Sequence, residues 1–246
     1  MALVACGGRS AHHTWPGSIE VRLSDPPTAQ QLIQAYGATW QYHRLRFSYV
    51  VADDSGNASD DGGATGMLDL ADDAADFSVT GTGNPEIRLI KHTEYGKNTL
   101  VGLENVWIVV PSSRPDAAEQ LPKILPVPEG LAKNLAPASA VVRQLGIVEV
   151  GDVRTSGYQW SAKPDAAKLP AGVSIPAGTT VTVEVDIDAD HLVRRMELRV
   201  SAPTPPAGRT ASNAGTATMT LTDIDAVPAI TAPPNALTAA QVEQMN

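Results

Sequence analysis

Apolar and polar residues alternate along much of the chain, the period-two pattern of strands buried on one face. Leu45, Phe47, Tyr49 and Val51 alternate with Arg46, Ser48 and Val50, and a return strand carries Met67, Leu68 and Leu70. Phe77 to Val79, Ile87 to Ile90 and Val106 to Val110 extend the run into a meander. After residue 145 the pattern resumes at Ile147 to Val153 and at Gly157 to Ala162. The clearest stretch is Val181, Val183, Val185 and Ile187 against Thr182, Glu184 and Asp186, then a turn at Asp188-Ala189-Asp190 and a partner over Leu192 to Val200. It predicts a hairpin with one apolar face, and Ala217 to Leu221 and Ala229-Ile230 add short strands. Helical spacing is rarer. Thr28 stands where a helix would be capped, Leu32, Ile33 and Tyr36 share a face, and Gly37 is a natural stop. Between Pro111 and Leu145 the prolines 111, 115, 122, 126, 128 and 137 break the chain into pieces. There Leu131 and Leu135 are four apart, and Pro137 predicts the first turn of a helix holding Val141, Val142 and Leu145.

Together these elements predict an α+β fold: one curved antiparallel sheet of about ten strands, a half-barrel covered on its concave face by a few helices. Two or three short helices cover so long a sheet thinly, so a cavity between sheet and helices is the natural place for a ligand. The candidate lining residues are Phe47, Tyr49, Leu68, Leu70, Ile87, Leu89, Val183, Val185, Met196 and Leu198, for which plain core packing is the competing role. Trp107, Tyr158 and Trp160 either border the mouth of such a cavity or pack the sheet. Residues 1–27 read as a spacer, 28–235 as a single domain and 236–246 as a tail.

Composition then narrows the classes. The formal charge of -9, from 18 basic and 27 acidic residues, argues against nucleic acid, because phosphate contacts need clustered Lys and Arg. No stretch approaches the roughly 18 to 20 consecutive apolar residues of a membrane-crossing helix. The sole cysteine, Cys6, follows Leu3, Val4 and Ala5 and precedes Gly7. That arrangement looks like a bacterial lipobox, in which the thiol becomes a thioether to diacylglycerol and two acyl chains make the attachment lasting. The basic start and apolar run of a signal peptide ought to precede Leu3, so the natural start is expected upstream of Met1.

The order of elements, from lipobox and early helix through a long meander and a Pro-rich middle to a second group of strands, resembles actinobacterial envelope lipoproteins of the LppX/LprG type and their LolA-like relatives. The likeness is carried by Gly66-Met67-Leu68-Asp69-Leu70, by Glu86 to Ile90 through Tyr95 to Trp107-Ile108, and by Gly157-Tyr158-Gln159-Trp160. Val181 to Val200 and Ile230-Thr231-Ala232-Pro233-Pro234 complete it. The resemblance implies a curved sheet over helices with a cavity for acyl chains of a lipid or lipoglycan. It further implies a non-catalytic carrier held at the outer face of the cytoplasmic membrane through Cys6, with a membrane transporter as partner. The polar loop at 53–63 and the Pro- and Ala-rich insertion at 203–214 depart from that pattern, so the ligand's identity does not transfer.

No residue constellation announces a reaction. No serine stands in Gly-x-Ser-x-Gly, Gly81-Thr82-Gly83 lacks the following helix of a dinucleotide site, and no cofactor is implied. His12 and His13 adjoin each other without further ligands nearby, and the acidic loop with Asp53, Asp54, Asp60 and Asp61 lacks the spacing of an EF-hand. Asp186, Asp188 and Asp190 alternate as the outer face of a hairpin, so no metal site is expected. The rival to a lipid carrier is a surface structural or protein-interaction module whose core is filled.

Overall fold

Eleven strands among the described residues form one antiparallel sheet, and their order explains how the chain is wound. The computed structural model describes residues 22–42, 44–53, 62–80, 85–91, 93–97, 105–110, 134–165, 178–201 and 214–244. The first meander comprises β1 (Arg44–Asp53), β2 (Gly62–Asp69), β3 (Ala74–Thr80), β4 (Glu86–Ile90), β5 (Thr93–Lys97) and β6 (Ile108–Val110). The second comprises β7 (Arg143–Val150), β8 (Val153–Ala162), β9 (Thr180–Ile187), β10 (Val193–Ser201) and β11 (Gly215–Thr222). The sheet order is β6-β5-β4-β3-β2-β1-β11-β10-β9-β8-β7, so β1 and β11 join the two meanders at the centre. The strands β6 and β7 therefore stand at opposite edges of the sheet.

The register puts the apolar half of each alternation on one face. Phe47 lies opposite Leu221 on β11 and Gly66 on β2, Met219 opposite Met196, and Met196 opposite Val185. Leu45, Leu68, Val183, Val185, Met196, Met219 and Leu221 are fully enclosed there. Removing each such side chain from water contributes about 1.5–3 kcal/mol. The other face carries Arg46, the threonines of β11, and Glu197 and Arg199, and it is largely wet.

The helix α1 (Ala29–Tyr42) covers one end of the inner face. A reciprocal capping box starts it: the Gln31 N–H donates to Thr28 Oγ1 at 3.2 Å and the Thr28 N–H to Gln31 Oε1 at 2.9 Å. Gly37 does not stop it, contrary to expectation, because Ala35, Tyr36, Thr39 and Trp40 continue the buried stripe and tertiary packing outweighs a glycine's cost. Thr39 ties the helix to the sheet, its hydroxyl donating to the Ala35 carbonyl at 2.9 Å and accepting the Val193 N–H of β10 at 3.0 Å.

Three other expectations are corrected. Pro137 opens only a single turn, closed by the Ala140 N–H on the Pro137 carbonyl, since the chain from Arg143 is taken up as β7 by pairing with β8. The hairpin between β7 and β8 turns at Gly151-Asp152, where Gly151 has φ +59°, so the run from Ile147 to Val153 is divided between two strands. Ala229-Ile230 forms no strand but lies in a segment leading to the β6 edge, where Leu237 pairs in parallel with Ile108. A short helix α2 (Ala239–Glu243) with its own capping box at Thr238 follows. The Pro-rich segment 111–133, where helices are expected, lies outside the described residues.

Candidate functional site

Nine of the ten candidate lining residues lie on inner strands of the sheet. Phe47, Leu68, Leu89, Val183, Val185, Met196 and Leu198 are buried in one continuous cluster, and Tyr49 and Ile87 are half-buried against it. Leu70 opens the 3₁₀ turn Leu70–Asp72, and its side chain lies outside the described residues. Cys6, His12, His13, Asp54, Asp60, Asp61 and Gly81-Thr82-Gly83 also fall outside them.

Towards the end of the inner face away from α1, burial thins. Tyr49, Val79, Ile87, Val200 and Ala217 are only partly covered although they belong to the same apolar face. Under α1, Tyr36 and Trp40 pack edge to face, ring centroids 5.3 Å apart at 78°. The Tyr36 hydroxyl and Trp40 Nε1 are both buried, and among the described residues they have only each other as polar neighbours. Burial pushes the Tyr36 and Tyr49 hydroxyls above the ordinary tyrosine range, so both stay neutral donors. An apolar face of this kind suits a ligand that is mostly hydrocarbon. Sequence patterning finds the apolar face but not these donors, because α1 brings them inside only by folding.

The three aromatic residues separate. Trp160 is buried on the inner face, and its Nε1 donates to the Leu135 carbonyl at 2.6 Å. Tyr158 is half-buried on the same face. Trp107 lies on the outer face between Arg88, 5.1 Å above its ring, and Lys97 at 5.8 Å. Arg88 also donates to the Thr231 carbonyl at 2.9 Å, which fastens the C-terminal segment there.

The acidic alternation Asp186, Asp188, Asp190 at the end of β9 and in the turn after it serves structure. Asp188 Oδ1 accepts the N–H groups of Asp190 at 2.9 Å and Leu192 at 3.0 Å, closing the hairpin loop, while its other oxygen meets Arg194. Asp186 is fully buried, pairs with Arg195 at 2.6 Å, and points its second oxygen at Gly157. Among the described residues no three metal-ligating side chains converge.

Burial raises the Asp186 carboxyl above the usual carboxylate range, opposed by Arg195, and burial together with Asp72 raises Asp69. A carboxyl raised in the folded state adds stability that is full below the unfolded value of about 3.9 and is lost as pH rises through the folded value. The melting temperature should therefore carry a component that falls as pH rises above about 4. Melting curves of the native chain and Asp69→Asn across that range check it; an unchanged slope in the variant refutes the assignment.

No protein-family model and no curated protein matches the chain. Among solved structures, the lipoprotein LppX of Mycobacterium tuberculosis superposes with a TM-score of 0.52 at 10% identity, over 82% of this chain and 98% of that one. The chain has the fold of LppX. LprF from Mycobacterium bovis gives 0.46 at 17% identity, over 83% of this chain and 96% of that one. A LolA superfamily protein from Nitrosomonas europaea gives 0.28 at 9% identity, over 83% and 98%. The resemblance read from element order thus holds at the level of fold. The LppX fold is built here with few helices: among the described residues only α1 covers the inner face along any length, and α2 sits at the β6 edge.

Proposed function

We propose that this chain is a non-catalytic envelope lipoprotein that binds the acyl chains of a lipid on the inner face of its sheet, anchored through Cys6 outside the cytoplasmic membrane. The observation that carries the reading is the row of half-covered apolar side chains, Tyr49, Val79, Ile87, Val200 and Ala217, continuous with the core yet short of burial. At about 0.8 kcal/mol per methylene removed from water, even a short acyl chain laid on this row gains useful affinity. The ten residues named from the sequence would form its bed, Tyr49 and Ile87 by direct contact and the deeper ones by shaping the floor. Delivery to a membrane transporter is the matching role for a tethered carrier. That LppX is a lipoprotein, and that Cys6 stands in a lipobox-like sequence, support the same location.

A filled core acting as a surface interaction module is the second reading, favoured by the burial of seven of those ten side chains. Native mass spectrometry with lipid extraction, on the full chain purified from a lipid-rich actinobacterial host, separates the two. Near-stoichiometric lipid is expected on the native chain, falling at least tenfold in Tyr49→Glu and Ile87→Glu variants that still melt cooperatively. A lipid-free native chain would establish the filled core instead.

A further inference from the structure

Beside β7 and the end of β8 lies an open groove of about 640 Å³, walled on one side by the turn that follows Leu135. None of the ten candidates for the acyl-chain cavity is among its described lining residues. Its polar lining residues are Arg143, Lys163, Gln159, Ser139, Ser161 and Thr180, and among the described residues no Asp or Glu lines it. In a chain of formal charge -9 this is a site whose charge matches an anion. The Arg143 guanidinium is steadied by a hydrogen bond to Gln159 Oε1 at 3.1 Å. That contact uses one nitrogen and leaves the rest of the planar fork to donate. Apolar surface adjoins the cations: Pro137, Ala140, Val141 and Ala162 share the lining, and Val141 is 84% exposed.

We propose that this groove binds a phosphate ester of a small polyol, either the head group of a lipid or the soluble ester. A guanidinium, an ammonium and three hydroxyls approaching from separate strands and a turn suit a tetrahedral group with several acceptor oxygens better than a flat carboxylate with two. The groove is far larger than a bare phosphate needs and lies within the range of about 300–1,000 Å³ usual for small-molecule sites. Its apolar wall offers the carbon skeleton a place beside the anion. The site is separate from the half-covered row of the acyl-chain reading, with which it shares no residue, although Trp160 and Ala162 of the inner-face core form part of its wall.

Isothermal titration of the full chain with sn-glycerol 3-phosphate, dihexanoyl phosphatidylglycerol below its micelle concentration, and glycerol provides the test. Both phosphate esters should bind and glycerol should not, and binding should weaken as sodium chloride rises. Tighter binding of the lipid identifies a head-group site; equal binding of the two esters identifies a site for the soluble ester. The double variant Arg143→Gln, Lys163→Gln should lose at least tenfold in affinity while its melting temperature is unchanged, both side chains being exposed. Equal affinity in that variant, or no binding of either ester, overturns the proposal. Lipid copurifying with the double variant at the native level would show that the inner face works without the groove.

Discussion

Trp160→Ala is expected to lose about 3–5 kcal/mol of unfolding free energy, the usual cost of deleting a large buried aromatic side chain. Trp160 is 2% exposed on the inner face of β8, one strand in from the β7 edge and opposite Val183, and Leu135 beside it is wholly buried. The segment leading into β7 is pinned at this point by the indole N–H on the Leu135 carbonyl. Alanine removes both the packing and the pin. Trp160→Phe keeps most of the apolar area and deletes only the donor, leaving a buried carbonyl unpaired, and should cost about 1–3 kcal/mol. Urea unfolding followed by circular dichroism measures both. A Trp160→Ala loss under about 1 kcal/mol would mean that the segment leading into β7 is not held here.

The second large effect concerns two glycines and has opposite signs. Gly66 in β2 lies between Phe47 on β1 and Phe77 on β3, whose rings are 6.4 Å apart and tilted by 54°. A Cβ at Gly66 would come within 2.5 Å of the Phe77 Cβ and would also collide with the Asp76 carbonyl oxygen. Neither backbone nor Cβ can swing aside as the end of a flexible side chain can, so Gly66→Val should cost about 3 kcal/mol, the upper part of the range for overpacking, or yield insoluble protein. Gly37, within α1, has nothing within 4 Å of an added Cβ. Gly37→Ala should stabilise the chain by about 0.5–1 kcal/mol, because a glycine in a helix interior loses more conformational freedom on folding. The pair of variants is its own control: a tolerated Gly66→Val would refute the close approach, and a destabilising Gly37→Ala would place a neighbour where none is seen.

The same contrast explains where sequence reading succeeds and fails. Strands β1, β9 and β10 were legible because their two faces meet different surroundings, core and water, and that difference is written as alternation. The strand β5, Thr93-Glu94-Tyr95-Gly96-Lys97, was not, since it holds no apolar alternation and is a strand by virtue of pairing with β4 and β6. The helix α1 was legible at its start, where Thr28 acts locally, but not at its end, where Trp40 is held by distant packing. The Pro137 helix failed for the converse reason, a local preference overruled by β8. Seven of the ten candidate residues are buried together, and the half-covered row beyond them could be told from the floor only once α1 was placed.

By itself, then, the sequence determined an antiparallel sheet with one apolar face, an early capped helix, and a composition that disfavours nucleic acid, because these depend on each residue's own chemistry and its near neighbours. Tertiary structure alone decided the sheet order, the pinning of Leu135 by Trp160, the buried donors of Tyr36 and Trp40, and the meeting of Ser139, Arg143, Lys163 and Thr180 in one groove. Leu135 and Trp160, and likewise Arg143, Lys163 and Thr180, are far apart along the chain. Only strand pairing and the burial of apolar surface bring them together, and no local pattern records which distant partner a residue will meet.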